Sequence, residues 1–224
     1  MTFKKKKYEV IRGAIKKSVA EFVMGYFLLK RQVAETLFNK GYISPFCTEW
    51  GVWHDEQVPN TYGHYADVAM ETFLIILQPL LEKKTGLKLS PTYTYARIYK
   101  KGDILKRHKD RYSCEISCTL NLGGTAWPIF INSNFKEGHA YGKFIGQHRT
   151  QNYSPSNSRG TKITLGMGDL LLYSGCELEH WREPFDGEYC VQVFLHYNKA
   201  RGSKAKVNRF DRRLHLGLPE YFIK

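Results

Sequence analysis

The chain has 224 residues, of which 42% are hydrophobic and 14% aromatic; this suits one domain with a sizeable core and excludes a disordered chain. The formal net charge of +13 fits an acidic substrate, nucleic acid, anionic lipid or a merely solvated basic surface, and does not choose among them. The cysteines (Cys47, Cys114, Cys118, Cys176 and Cys190) are odd in number and lack a Cys-x-x-Cys pair, which argues against a disulfide framework or thiolate zinc site and for reduced thiols in a cytoplasmic compartment.

Residues 1–8 read as a flexible basic start. Lys4 to Lys7 look like the front of a signal peptide, but Arg12, Lys16, Lys17 and Glu21 break up the apolar core that such a peptide needs. The apolar stretch 22–29 is too short to span a bilayer, so neither export nor a membrane span is expected. Over residues 9–40, Ile11, Ile15, Val19, Phe22, Val23, Tyr26, Phe27, Val33 and Leu37 recur at steps of three and four, the mark of a helical face. Gly41 is placed to stop it. One or two helices against a sheet are expected here.

Residues 41–64 are irregular. His54-Asp55-Glu56 within them reads as a solvated turn rather than a metal cluster, because adjacent strand residues face opposite ways. The second helix is expected over 65–84, with Ala69, Met70, Phe73, Leu74, Leu77, Leu80 and Leu81 on its apolar face and Gly86 at its end.

After Pro91 the period changes to two, and Tyr93, Tyr95, Arg97 and Tyr99 share one face of a strand. Further strands are expected over 105–110, 113–122, 127–131, 161–165, 169–173 and 188–197. The polar stretch 132–160 reads as a long loop with room for a hairpin, and long loops are often lids. Residues 199–213 hold seven Lys/Arg and one Asp. They read as a solvated tail, with a salt-sensitive attraction for nucleic acid as the less favoured alternative. The last residues, 214–224, are apolar enough to dock.

Helices followed by strands make an α+β architecture. A two-sheet jelly roll, or double-stranded β-helix, with the N-terminal helices packed on one sheet, brings the second and seventh core strands side by side. The expected organisation is a single domain over 1–224: a helical part at 1–90, a jelly-roll core at 91–198 and a basic tail at 199–224.

That adjacency gives three residues meaning. His108 and Asp110 stand two apart, so in a strand they point the same way. His180 ends a later strand-like stretch that begins at Gly168. Two imidazoles and a carboxylate can cap one face of an octahedral Fe(II) and leave the opposite face open.

Here the chain resembles the Fe(II)/2-oxoglutarate-dependent oxygenase superfamily, and within it the prolyl-4-hydroxylase-like branch, over residues 91–198. The resemblance rests on an ordered set: Tyr95-Ala96-Arg97-Ile98-Tyr99 and Gly102, His108-Lys109-Asp110, Ser117-Cys118-Thr119-Leu120-Asn121, Gly168-Asp169-Leu170-Leu171-Leu172-Tyr173, then His180, Pro184 and Val191-Gln192-Val193-Phe194. It implies that His108, Asp110 and His180 hold Fe(II), with 2-oxoglutarate and dioxygen as cosubstrates. It implies decarboxylation to succinate coupled to hydroxylation of a substrate, a prolyl or other peptidyl residue among the candidates. Tyr99 matches the tyrosine whose hydroxyl meets 2-oxoglutarate.

One departure stands out. The branch places a Lys or Arg nine or ten residues after the second histidine, for the far carboxylate of 2-oxoglutarate; here those positions are Tyr189 and Cys190. A buried carboxylate needs a charged partner. Arg182, two past His180, is the first candidate and Arg97 the second. Arg111 is expected to face away from the metal and pair with a carboxylate such as Glu115. His54, His64, His139, His148, His196 and His215 read as ordinary, and Trp181 as packing.

Two rivals remain. An oxidative demethylase of alkylated nucleic acid uses the same iron centre and wants an aromatic base pocket, for which Tyr93, Tyr95 and Trp127 are available. A non-catalytic jelly-roll binding protein is favoured only by the missing cation after His180.

Overall fold

The computed structural model describes residues 2–222 except 45, 142–143, 146–147 and 150–151. A short helix α1 (Thr2–Lys6) leads into strand β1 (Tyr8–Ile11) and the long helix α2 (Lys17–Asn39). The helical period predicts helix from residue 9, but residues 8–11 pair antiparallel with 170–173 instead. A four-residue strand is short enough for its apolar residues to fall into step with the helix after it. Residues 2–8 of the basic start thus carry a short helix and the first residue of a strand.

Strand β2 (Tyr62–Tyr65) precedes helix α3 (Val68–Thr85). The helix starts later than residue 65 because 62–65 are paired as sheet. Asp67 caps it, accepting from Met70 N at 3.1 Å. Gly86 ends it at φ 71, a left-handed conformation that glycine adopts without steric cost.

The strands then come in order: β3 (Leu89–Lys100), β4 (Leu105–His108), β5 (Ile116–Gly124), β6 (Ile129–Asn132), β7 (His139–Tyr141), β8 (Phe144–Ile145), β9 (His148–Arg149), β10 (Asn152–Ser154), β11 (Thr161–Ile163), β12 (Leu170–Tyr173), β13 (Glu179–Arg182) and β14 (Tyr189–Lys199), before a last turn of helix α4 (Ala205–Asn208). The stretch expected as a loop pairs β7 with β10 and β8 with β9.

Six strands form one sheet in the order β1-β12-β5-β14-β3-β2, and four form another in the order β11-β6-β13-β4. All the pairings are antiparallel. Helices α2 and α3 cover one face of the larger sheet, as expected. Phe27, Met70, Leu74 and Leu77 pack there against Ala96, Ile98, Leu120, Val193 and Leu195. Alternation sends the intervening residues to the other face, towards the smaller sheet, where Leu171 and Tyr173 meet Ile129 and Ile131. Beside that apolar contact the same face turns polar: Arg97, Ser117, Thr119, Gln192 and His196 are all buried.

The basic tail is solvated only in part: Arg201, Lys206, Arg209 and Arg212 are exposed, but its end is tied down. Arg213 is 3% exposed and bonds Glu71 of α3 at 2.6 Å, while Asp211 bonds Arg111 at 2.6 Å. Phe210, Asp211 and Arg212 all take positive φ, at 51, 54 and 70. Three left-handed side-chain-bearing residues in a row cost about 1–3 kcal/mol each and persist only where their surroundings hold them. The two ion pairs supply that hold. Among the described residues no helix is long and apolar enough to cross a membrane.

Candidate functional site

Strands β4 and β13 lie side by side with His180 opposite His108. Their ring centres are 4.3 Å apart. Asp110 lies beyond the end of β4, so strand alternation does not place it; its backbone N–H donates to Gly175 O at 2.9 Å. Its Oδ1 nonetheless comes within 3.5 Å of His108 Nε2 and 3.4 Å of His180 Nε2. The ligand-type atoms of all three residues lie within 4.8 Å of one another.

The hydrogen bonds behind the rings decide their tautomers. His108 Nδ1 faces Lys106 O at 2.8 Å and His180 Nδ1 faces Leu178 O at 3.0 Å. A carbonyl can only accept, so each Nδ1 carries the proton and each Nε2 turns a lone pair to the shared space. Burial, helped by the neighbouring His180 ring, pushes His108 below its ordinary pKa. Two neutral nitrogen donors and one carboxylate therefore converge.

The two candidate arginines differ in their company. Arg182, on β13, is 1% exposed; Nη1 donates to Trp127 O, and Nε and Nη2 have no partner among the described residues. Neither nearby acid answers it: Glu183 accepts from Trp181 Nε1 at 2.9 Å, and Asp186 lies 3.7 Å from Lys101 Nζ. Burial pulls the guanidinium down from its ordinary pKa. Trp127 also packs edge-on against Tyr99, ring centres 4.7 Å apart. Arg97 is equally buried, but its Nη2 bonds Asp55 at 2.5 Å, and its Nη1 reaches Gln57 Oε1 at 3.2 Å and the Tyr99 hydroxyl at 3.4 Å.

A cavity of about 700 Å³ opens over His108, Asp110 and His180. Its wall holds residues that the local sequence pattern does not mark. Asp55, expected in a solvated turn, lines it and pins Arg97; Gln57 Nε2 stands 3.2 Å from His108 Nε2. Arg111 faces the cavity rather than away from it, and its carboxylate is Asp211, not Glu115, which instead takes Lys199 at 3.1 Å. His196, expected to be ordinary, is buried against Tyr93 and bonds Ser117 at 3.0 Å; burial pushes it down to about 4. The alternation along β14 is a usable signal for His196. Nothing local marks Asp211, which is 100 residues from Arg111.

Asp110, Cys114 and His196 form a second set of donor atoms within 4.8 Å. Burial raises the Cys114 thiol well above its ordinary value, and the Arg111 cation lies beside both Cys114 and His196. That company suits hydrogen bonding rather than a second cation. Trp181 stacks on Phe130, 5.5 Å between centres, which is packing. His139 is exposed; the His148 side chain lies outside the described residues.

No family model and no curated protein sequence matches the chain. Solved structures do match it. A prolyl-4-hydroxylase from Pseudomonas putida superposes with a TM-score of 0.56 at 14% identity, covering 89% of this chain and 96% of that one. The non-haem α-ketoglutarate-dependent epimerase SnoN of nogalamycin biosynthesis gives 0.59 at 11% identity, covering 88% and 80%. HygX from Streptomyces hygroscopicus, solved with nickel and 2-oxoglutarate bound, gives 0.55 at 12% identity over 89% and 85%. The chain thus shares its fold with non-haem, 2-oxoglutarate-dependent enzymes. At such identities the likeness fixes the fold alone, and the reaction has to be argued from the residues.

Proposed function

We propose that the protein is an Fe(II)/2-oxoglutarate-dependent dioxygenase with His108, Asp110 and His180 as its metal ligands. The observation that carries this is the convergence of two lone-pair-bearing Nε2 atoms on Asp110 Oδ1, with each Nδ1 proton already spent on a carbonyl. Hard carboxylate plus two imidazoles, with no thiolate, is the donor set of an open non-haem iron site. The buried Arg182, two residues along β13 from His180, supplies the second part of the fit, although the cavity wall itself holds Arg97 and not Arg182 or Tyr99. A guanidinium sealed from water with two idle donor nitrogens lacks its anion, and a carboxylate at that point would answer both.

Bound there, Fe(II), 2-oxoglutarate and dioxygen supply an oxidant strong enough to break a substrate C–H bond, with 2-oxoglutarate leaving as succinate and carbon dioxide. The chain's own part is placement. Arg182 takes the far carboxylate of 2-oxoglutarate; Tyr99 donates its hydroxyl to the same molecule. Arg97, its charge met by Asp55, holds Tyr99 by donating one bond to its oxygen. Leu105 and Phe194, on the cavity wall, limit water near the reacting centre. The two sheets are read as a double-stranded β-helix that holds these groups between its layers, and residues 1–224 as one domain, because β1 and the tail are tied into the same structure as 91–198. Five free thiols support a cytoplasmic location.

The reaction is read as hydroxylation, with a prolyl or other peptidyl residue as one substrate class. The nucleic-acid demethylase reading gains nothing from the cavity. The Arg111 guanidinium lies over the Tyr93 ring at 4.5 Å and that of Arg97 over the Tyr95 ring at 4.9 Å, so one face of each is taken by a cation rather than open to a base. The non-catalytic reading loses its one support if Arg182 does the work of the missing cation.

The test is anaerobic titration of the protein with Fe(II) and 2-oxoglutarate, watching for the visible charge-transfer band of the chelate. The band is expected in wild type and absent in His108→Ala. Iron binding without a band overturns the cosubstrate assignment; no iron binding overturns the metal assignment.

A further inference from the structure

The two oxygens of Asp110 keep different company. Oδ1 faces the imidazole nitrogens, at 3.5 and 3.4 Å. Oδ2 accepts from Ser117 Oγ at 2.7 Å. Ser117 is fully buried on β5, and His196, opposite it in the β5–β14 register, reaches the same Oγ through Nδ1 at 3.0 Å.

A hydroxyl has one proton to give. The Cys114 carbonyl competes for it at 3.1 Å, but the carboxylate is nearer and charged, so the proton goes to Asp110. Ser117 Oγ is then left to accept, and the donor is His196 Nδ1–H. The chain of bonds runs one way, from His196 through Ser117 to Asp110. Gly175 closes the other side. A Cβ there would overlap Asp110 Oδ2, Ser117 Oγ and the Cys114 carbonyl, and the Gly175 carbonyl takes the Asp110 N–H.

We propose that Ser117, His196 and Gly175 form a cradle that makes Asp110 a one-oxygen metal ligand, with its second oxygen pinned away from the ion. The proposal rests on reading His108, Asp110 and His180 as a metal site. Its chemical point is the number of positions left open. A carboxylate free to turn can bind through both oxygens and take a fourth position. Held by one oxygen, it leaves room for a two-point chelator and a third small ligand. These are positioning residues; none of the three need touch substrate.

The experiment uses Co(II) as the probe, without turnover. Full-length protein is titrated anaerobically with Co(II), reading both affinity and the visible absorption bands of the bound ion. Ser117→Ala is expected to weaken binding by about tenfold or more, the usual cost of losing support behind a ligand, and to change the band shape. His196→Leu should weaken it less. His196→Asn, whose amide can still donate to Ser117, should return towards wild type in both readouts. That rescue separates positioning from a general loss of packing, and it serves if Ser117→Ala fails to fold. Wild-type affinity and spectrum in Ser117→Ala, or equal behaviour of His196→Leu and His196→Asn, overturns the cradle while leaving the metal site standing. If wild type itself binds no Co(II), the metal site falls and the cradle with it.

Discussion

The Arg182 guanidinium lies 4.9 Å from the centre of the Trp127 ring and donates to the carbonyl of the same residue. The side chain is therefore held by the Trp127 ring and by one Nη1 bond, with Nε and Nη2 idle among the described residues. A fork fixed in this way is ready for a planar anion and costs little further ordering when one arrives.

Arg182→Ala should raise the dissociation constant for 2-oxoglutarate by roughly 10- to 100-fold, the equivalent of about 1.5–3 kcal/mol for hydrogen bonds to a charged group. Iron affinity should move far less. A fluorescence titration of 2-oxoglutarate at saturating Fe(II) checks the first, and a titration of Fe(II) alone the second. If Arg97→Ala produces this effect and Arg182→Ala does not, the two arginines exchange roles. Arg182→Met carries the opposite sign in stability. It removes a buried cation that lacks a counter-ion, so the apo protein should melt at a higher temperature than wild type.

Glu71 and Arg213 form the clearest stability test. Both are buried, the pair meets at 2.6 Å, and Arg213 Nη2 also donates to Thr92 O at 3.1 Å. Arg213→Ala strands the Glu71 carboxylate inside the protein and should cost about 3–5 kcal/mol. The double variant Glu71→Leu with Arg213→Met should cost much less than the two single changes added together. Urea unfolding of the four proteins gives the coupling directly. Additive effects would mean that the pair does not act as a pair.

Asp67 links stability to pH. Besides capping α3, its Oδ2 takes Tyr26 at 2.7 Å, Lys30 at 2.6 Å and His64 at 3.2 Å. Burial alone would raise its pKa, but His64, Lys30 and Tyr26 outweigh that and hold it well below the ordinary value. A carboxyl depressed in the folded state contributes stability above its unfolded pKa of about 4, and that contribution fades as pH falls towards the folded value. Asp67→Asn should thus be markedly less stable than wild type at pH 7, with the gap shrinking below about pH 4. Unfolding curves at the two pH values check it; a gap that stays constant would show that the charge is not the stabilising feature.

Much of this was legible in the chain. Gly86 marks the end of α3 by ordinary capping chemistry, whereas its start at the Asp67 cap is hidden, because 62–65 pair as sheet. The period of two from Tyr93 onward sets the face on which Arg97 and Tyr99 stand, and the expected strand order brings the strand over 105–110 beside the one that ends in His180; that the strand stops at His108, leaving Asp110 outside it, is not legible. What was hidden depended on distance or on exceptions. Residues 8–11 blended into the helical period of α2. Asp55 gains its role from Arg97, 42 residues away. Phe210, Asp211 and Arg212 adopt a backbone that glycine signals, yet none of them is glycine. Their conformation is imposed by partners at Arg111 and Glu71, and no local pattern announces it.

The tail has a consequence for access to the cavity over His108, Asp110 and His180. Asp211 is clamped to Arg111 on the cavity side, and Arg213 is clamped to α3 two residues later. Swinging this segment aside would uncover two pairs of buried charges at once, so it behaves as masonry rather than a door. Amide protons around residues 211–213 should exchange with solvent as slowly as those of the sheet behind them, so this wall of the cavity stays put.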